Sequence, residues 1–558
     1  MPQDSIPTHE FESLCSAVLS MLPAEELLSN INYTQAIIIA DRALSQADTV
    51  TKKAKIYELK IKSLVNLNNL DEAKTFALEI LAYLNIALEN ERPAEFTINQ
   101  LNNLPTIQST LLLTIQHILK LLGEATYMTD PDLCTRAIWT EFAFALQNGK
   151  SALSAVAYSD YGFWLCSIGE IDRGYTLGKL AIQMLKEFNC GSFIPSILEL
   201  FNGHTRHWKE SIKNSLDDLE TGFQLGISEG NFSSGLCAIV RCDHLIFTGR
   251  QLQLIEQEYR RYNSAFKEVN LVYPILYSLA GTHLILQLQG KESSLNFAEL
   301  QDNKTALFAG HLARLIINYF LGSLDTAILH GDRAKELLPA VPGQIVAAPH
   351  NFFYSLALLA HRTPNLSQID ENQQQLKRWA QNAPINFQDK YDLIEAEQLR
   401  VMGKYKEAES LYLQTIQATA KEGNIYEIAL TNKLTGDFYR QRGQSEIAKK
   451  YLIEAHLSFI LWGARAIATH MEQEYECLKP RNLNTDLAQT ICSIVETGCS
   501  KEIRHLMKRA RATLTYNLVT QEVEVTVKDK FAATMIEPCL SVLKEKSPTD
   551  KVTLKVSN

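Results

Sequence analysis

Apolar residues along most of this chain recur at steps of three and four. Ala73, Phe76, Ala77, Ile80, Leu81 and Leu84 share one face at that spacing, which predicts an amphipathic helix. Asp71 stands at its first turn, where the positive end of the helix dipole favours a carboxylate. Just upstream, Ala36, Ala40, Ala43 and Ala47 form a stripe of small residues. Such a stripe lets a neighbouring helix approach closely, so these are helices made to pack on helices.

The pattern also repeats over a longer distance. Gly403, Ala408 and Leu411 of VMGKYKEAESLYLQTIQ are echoed 40 residues later by Gly443, Ala448 and Tyr451 of QRGQSEIAKKYLIEAHL. In each copy a glycine closes one helix, since glycine readily takes the left-handed conformation of a helix end. The same punctuation occurs at Gly169 and Gly322. A unit of this kind cannot bury its apolar face alone, so neighbours stack into a superhelix with a concave surface. Interruptions fall near Pro105, at 341–349 (VPGQIVAAP) and at 361–373 (HRTPNLSQIDENQ), and read as longer turns between helix pairs.

After about residue 478 the period changes to two. Leu514, Tyr516 and Leu518 alternate with polar residues, as do Val523, Val525 and Val527, the pattern of a hairpin. Residues 531–544 read as a helix, and 551–556 (KVTLKV) as a last strand. The expected fold is therefore all-α: a tetratricopeptide-like α-solenoid of stacked antiparallel helix pairs, with a small C-terminal α+β tail. Its divisions are a lead-in helix at 1–30, the superhelix at 31–478 and the tail at 479–558.

The 558 residues are 46% hydrophobic and 21% charged, the balance of a folded, water-facing protein. With 54 Lys and Arg against 63 Asp and Glu the net charge is -9, which gives no support to nucleic-acid or anionic-membrane binding. The polar start MPQDSIPTHE lacks a secretory signal, and no apolar run reaches bilayer length. Ten cysteines contain no CxxC pair, so structural zinc is not expected. A reduced, cytoplasmic protein is the reading, with Cys237 and Cys242 the only close pair.

Within residues 348–464, the order Pro349, His350, Asn351, Tyr354, Leu356, then Trp379, Ala383, Pro384, Phe387, then Trp462 and Gly463 is more particular than a generic repeat. It resembles the helical middle region of very large cyanobacterial and other bacterial signalling proteins. In those, a serine/threonine kinase and an AAA-type ATPase lie on the N-terminal side, and sensor modules with a histidine kinase often follow. The resemblance covers roughly residues 30–478. It implies a noncatalytic spacer, with a signalling kinase or ATPase as the expected partner. His350, Asn351, Tyr354, Trp379, Phe387, Trp462 and Gly463 are its candidate partner-contact or structural residues.

Catalytic signatures are missing from the sequence. QGKESS at 289–294 places Glu292 where a phosphate-binding loop needs its hydroxyl. Kinase HRD and DFG strings do not occur; SDYGFW around Asp160 has the Asp and Gly but sits in an amphipathic helix with Trp164, and reads as packing. Thirteen histidines give no HExxH, and there is no GxSxG. His350 precedes NFFYS, where it caps a helix or fills a turn. Trp139, Trp164, Trp208, Trp379 and Trp462 read as packing between paired helices. Lys501, Arg504, Lys508, Arg509 and Arg511 form a basic helix face, a solvated or partner-binding surface before a nucleic-acid or lipid one.

The function expected is a noncatalytic interaction or coupling module of bacterial signal transduction, without cofactor or metal. Two alternatives stand beside it: a split portion of a multidomain kinase/ATPase, and a regulator whose tail binds nucleic acid or a small ligand.

Overall fold

The computed structural model describes residues 16–17, 33–127, 129–188, 190–479, 513–517, 522–527 and 552–556. Its helices in chain order are α1 (Tyr33–Leu44), α2 (Val50–Asn66), α3 (Leu70–Tyr83), the short α4 (Ile98–Asn102), α5 (Thr110–Thr126), α6 (Pro131–Asn148), α7 (Ala152–Ser167) and α8 (Ile171–Glu187). There follow α9 (Ile194–Leu200), α10 (Leu216–Gly226), α11 (Phe232–Phe247), α12 (Leu252–Glu268), α13 (Val272–Leu288), α14 (Lys304–Phe320) and α15 (Leu324–Leu337). The array ends with α16 (Ala347–Ala360), α17 (Leu366–Asn382), α18 (Pro384–Val401), α19 (Tyr405–Glu422), α20 (Ile425–Gln441), α21 (Ser445–Trp462) and α22 (Arg465–Glu474). Each long helix packs on the next along the chain, as the repeat pattern predicts. The fold is an all-α solenoid.

Local chemistry starts and stops these helices. The side chains of Thr49, Ser109, Asp130, Ser151, Asn231 and Asn303 accept a hydrogen bond from a backbone N–H of the first turn that follows, satisfying a donor the helix itself leaves open. At the other end Gly403 and Gly443 take φ +74° and +73°, the left-handed turn their spacing predicts. Between α7 and α8 the backbones nearly touch: a Cβ on Gly162 would stand 2.8 Å from the carbonyl of Gly174, and one on Gly174 2.4 Å from that of Gly162. Only glycine fits there.

The structure corrects several local expectations. α1 ends at Leu44, so Ala47 falls in the following turn while Ala36, Ala40 and Ala43 are buried. The stretch 361–373 is only half a turn. Asn365 accepts from the backbone N–H of Gln368 and starts α17 at Leu366, a capping signal hidden behind Pro364. His350 lies inside the first turn of α16 rather than before it.

The largest departure concerns the concave surface. The Asn386 side-chain amide donates to the carbonyls of His207 and Glu210, both at 2.7 Å, and its oxygen accepts from the N–H of Ile212 at 3.1 Å. Asn424 donates to the carbonyl of Phe247 at 2.9 Å, and the Trp462 indole to that of Arg250 at 3.1 Å. These partners lie 174 to 212 positions apart in sequence. The superhelix therefore winds back onto itself, and α18, α20 and α21 fill the inner side against the 206–250 region.

Three strands are described beyond residue 479: β1 (Thr513–Asn517), β2 (Glu522–Val527) and β3 (Val552–Val556). β1 pairs antiparallel with β2, Leu514 opposite Val525, and β3 runs parallel to β2, Leu554 beside Val525. The basic residues Lys501, Arg504, Lys508, Arg509 and Arg511, and most of the 1–30 segment, lie outside the described residues.

Candidate functional site

The residues that carry the family resemblance meet at packing positions. His350 is 3% exposed; its Nε2 bonds the carbonyl of Gly331 at 2.9 Å and its ring stacks on Tyr354. Burial pushes its imidazole down to about 4, so it is a neutral donor. Tyr354 donates to Asp332, and Asn351 to the carbonyl of Asn372 at 3.0 Å. Trp208, Trp379 and Phe387 form a three-ring cluster, with Trp208 5.4 Å from Trp379 and 5.5 Å from Phe387, and those two 6.0 Å apart. Trp462 is buried against Tyr426, and Gly463 caps α21 at φ +94° with Leu252 beside it. Most of their rings and polar atoms are engaged within the chain, while the Asn351 side-chain oxygen is buried without a partner among the described residues.

Trp208 leads from this packing to the one site that no sequence motif marks. Its indole N–H is shared by the carbonyls of His204 at 3.0 Å and Gly343 at 3.2 Å. His204 closes a π-helical turn, Phe201–Thr205, that continues α9. Hydrogen bonds in a π turn run from i to i+5, so residues five apart lie one above the other. Glu199 and His204 thereby meet, Oε1 to Nε2 at 3.1 Å, while His204 Nδ1 donates to the carbonyl of Pro342 at 3.2 Å. These two acceptors raise the imidazole above its ordinary value against the effect of burial.

This pair forms one wall of a small cavity of about 100 Å³ bounded by α5, α6, α7, α9, α11 and α13. The 341–346 segment lies along one side: Gln344 donates to the Tyr127 hydroxyl at 2.9 Å. Phe163, Phe232, Tyr273 and Tyr277 supply aromatic surface, and Ile138, Val156, Leu236 and Ile239 aliphatic surface. Lys120 and Glu124 pair at 2.5 Å on the rim. Asp160, from α7, lines the cavity with no hydrogen-bond or ion-pair partner among the described residues. Burial pushes its carboxyl up to about 7. Behind it on α6, burial and the Asp160 charge hold Glu141 well above the usual carboxylate range.

Beyond the rim the cavity meets a broader cleft of about 770 Å³, bounded by α1, α2, α5, the turn before α9, α11 and the α12–α13 turn. The two share Lys120, Glu124, Phe232 and Ser233. Half-exposed Leu67 and the polar side chains of Asn66, Ser228, Asn231 and Asn270 line it.

Asp160 belongs to the SDYGFW string, which the sequence pattern by itself assigns to packing. Its sole signal there is a carboxylate in a helix whose other residues are apolar on nearly every side. Cys237 and Cys242 are both buried free thiols on α11, raised by burial far from reactivity. Among the described residues no group of three or more His, Cys, Asp and Glu side chains is placed to hold a metal. None of the described helices is long and apolar enough to cross a membrane.

No family model matches the chain, and no curated protein matches it. Among solved structures, the crystal structure of the yeast Tom70 aligns over 96% of this chain and 99% of its own, at 12% identity and a TM-score of 0.27. A superposition that weak bears on neither fold nor function. The solenoid assignment rests on the helix pairs described above.

Proposed function

We propose that this chain is a noncatalytic, cytoplasmic protein-interaction module of bacterial signal transduction. It holds a segment of a partner, a signalling kinase or ATPase of the kind fused to the helical regions it resembles. The superhelix spans 31–478 and the tail 479–558. The observation that carries the reading is the open cleft of about 770 Å³ bounded by α1, α2, α5, α11 and the α12–α13 turn. A cleft lying between the faces of several helices suits a short length of polypeptide laid along it. Its mixed amide, hydroxyl and apolar lining matches a peptide main chain with alternating side chains.

Affinity capture with two variants tests this. Leu67→Glu places a charge in the cleft, whereas Leu329→Glu places one on the outer side of α15, where Leu329 is 54% exposed. The expected outcome is a kinase or ATPase recovered by the wild type and by Leu329→Glu, and reduced at least about tenfold by Leu67→Glu. Equal recovery by all three would remove the cleft from the proposal.

A further inference from the structure

Histidine and arginine from three consecutive helices gather on the α13–α15 face, and His283, His311, Arg314 and His330 line neither the cavity nor the cleft. His311 of α14 and His330 of α15 meet with their Nδ1 atoms 2.8 Å apart. Phe297 packs against both rings, its centre 4.7 Å from that of His311 and 5.8 Å from that of His330. Arg314 follows His311 by one turn of α14. It is half-buried, and its guanidinium has no hydrogen-bond or ion-pair partner among the described residues. Its charge reaches His330 on one side and His283 of α13 on the other. His283 is buried; its Nδ1 meets the Ser293 hydroxyl at 3.0 Å, while its Nε2 has no partner among the described residues.

The bond inside the histidine pair fixes what its outer nitrogens offer. One ring donates through Nδ1 and so has a bare Nε2, while the other accepts at Nδ1 and carries its hydrogen on Nε2. A proton added to the bare Nε2 turns both outer nitrogens into donors and leaves the inner bond intact. Neither Nε2 has a partner among the described residues. Beside them Arg314 presents a fork of N–H groups suited to the oxygens of an oxyanion. The same surroundings disfavour a metal ion. Arg333 acts on His311 and Arg314 on His330, and Glu336, the carboxylate that acts on His311, is tied to Arg333 at 3.3 Å. We propose that this face binds a tetrahedral dianion of the phosphate-monoester class, held by the Arg314 guanidinium and the two outer histidine nitrogens, with the unpartnered Nε2 of His283 on the α13 side.

Proton uptake accompanies this binding. The charged and titratable groups around the pair are His283 from α13, Arg314 from α14, and Arg333 and Glu336 from α15. Burial first, and then the neighbouring positive charges, hold both imidazoles below their ordinary value, His311 down to about 4. The free pair is therefore neutral near pH 7. A bound dianion offsets those positive charges and favours the imidazolium, so affinity rises as the pH falls.

Calorimetric titration of the full chain with sodium sulfate, a tetrahedral dianion whose charge is constant between pH 5.5 and pH 8, tests the proposal. Saturable binding is expected, at least about tenfold tighter at pH 5.5 than at pH 8, the equivalent of one pKa unit of linkage. Arg314→Gln should weaken it at least about tenfold, the scale of a charge-assisted hydrogen bond, and Arg314→Lys should recover part of that loss. His311→Asn combined with His330→Asn should abolish the pH dependence. At pH 7.5 two further probes separate the sources of the phosphate. A phosphoserine peptide that binds more tightly than inorganic phosphate, with its unphosphorylated form silent, places the group on a protein chain; the reverse order places it on a free phosphate. Four results would each overturn the proposal: no saturable sulfate binding, an affinity unmoved by Arg314→Gln at unchanged helical circular dichroism, an affinity that does not rise as the pH falls, or saturable zinc binding that His311→Asn removes.

Discussion

Asp160 sits inside α7 with its carboxyl raised to about 7 by burial, from an ordinary value of about 3.9. Below the ordinary value it is protonated in both folded and unfolded chains and costs nothing. Between the two values the folded state binds the extra proton, so stability falls as pH rises towards 7. Asp160→Asn is therefore expected to raise the melting temperature at pH 8 and leave it unchanged near pH 3.5. At about 1.4 kcal/mol for each pH unit that separates the two values, the gain is at most about 4 kcal/mol. A thermal scan at the two pH values checks it, and destabilisation at pH 8 would show that the carboxylate has a partner.

Histidines give the opposite slope. Burial lowers His350 to about 4 and His244 to about 3, against about 6.5 in the unfolded chain. As pH falls from 6.5 the unfolded state takes up these protons first, and stability is lost progressively down to the folded values. His350→Gln, which keeps a donor towards Gly331, should flatten part of that decline in a pH series of melting temperatures. His204 runs against them: its raised value means that its contribution is complete below about 6.5 and fades as pH rises through the folded value.

At the scale of elements, what the sequence makes legible is whatever repeats locally. Glycines 40 residues apart announce the ends of α18 and α20, and the three-and-four periodicity announces α3, because both are set by the chain's own neighbours. The π turn of Phe201–Thr205 is not legible. One extra residue in a helical turn leaves the apolar pattern almost intact, yet it decides that Glu199 faces His204. The 341–346 segment is likewise readable as a turn and unreadable as a cavity wall, since its partners Tyr127, His204 and Trp208 lie 135 to 217 positions away. Contacts between elements can be tested directly. Gly162→Ala would drive a methyl group onto the carbonyl of Gly174 and should cost about 1–3 kcal/mol in denaturant unfolding, the range for overpacking. An unchanged midpoint would mean that α7 and α8 part without penalty.

The molecule as a whole is held in its wound form by a shared apolar core and by hydrogen bonds between residues far apart in sequence. Asn386 alone satisfies two carbonyls and one N–H of the 207–212 stretch. Asn386→Ala leaves those groups without their partner, at about 1–3 kcal/mol for each that water does not reach, and should loosen the winding. Small-angle scattering is expected to report a larger radius of gyration for this variant at unchanged helix content. An unchanged radius would locate the closure in the apolar packing of Trp208, Trp379 and Phe387 instead.

That winding alters how the chain comes apart. Open repeat arrays are close to one-dimensional: each unit contacts its neighbours, ends fray independently, and stability grows roughly as a sum of units and interfaces. Here α18, α20 and α21 rest on the 206–250 region, so the terminal units cannot detach without baring the middle. Unfolding should accordingly proceed in one sharp step across the 206–474 stretch, with hydrogen exchange at the two contacting ends slowing together.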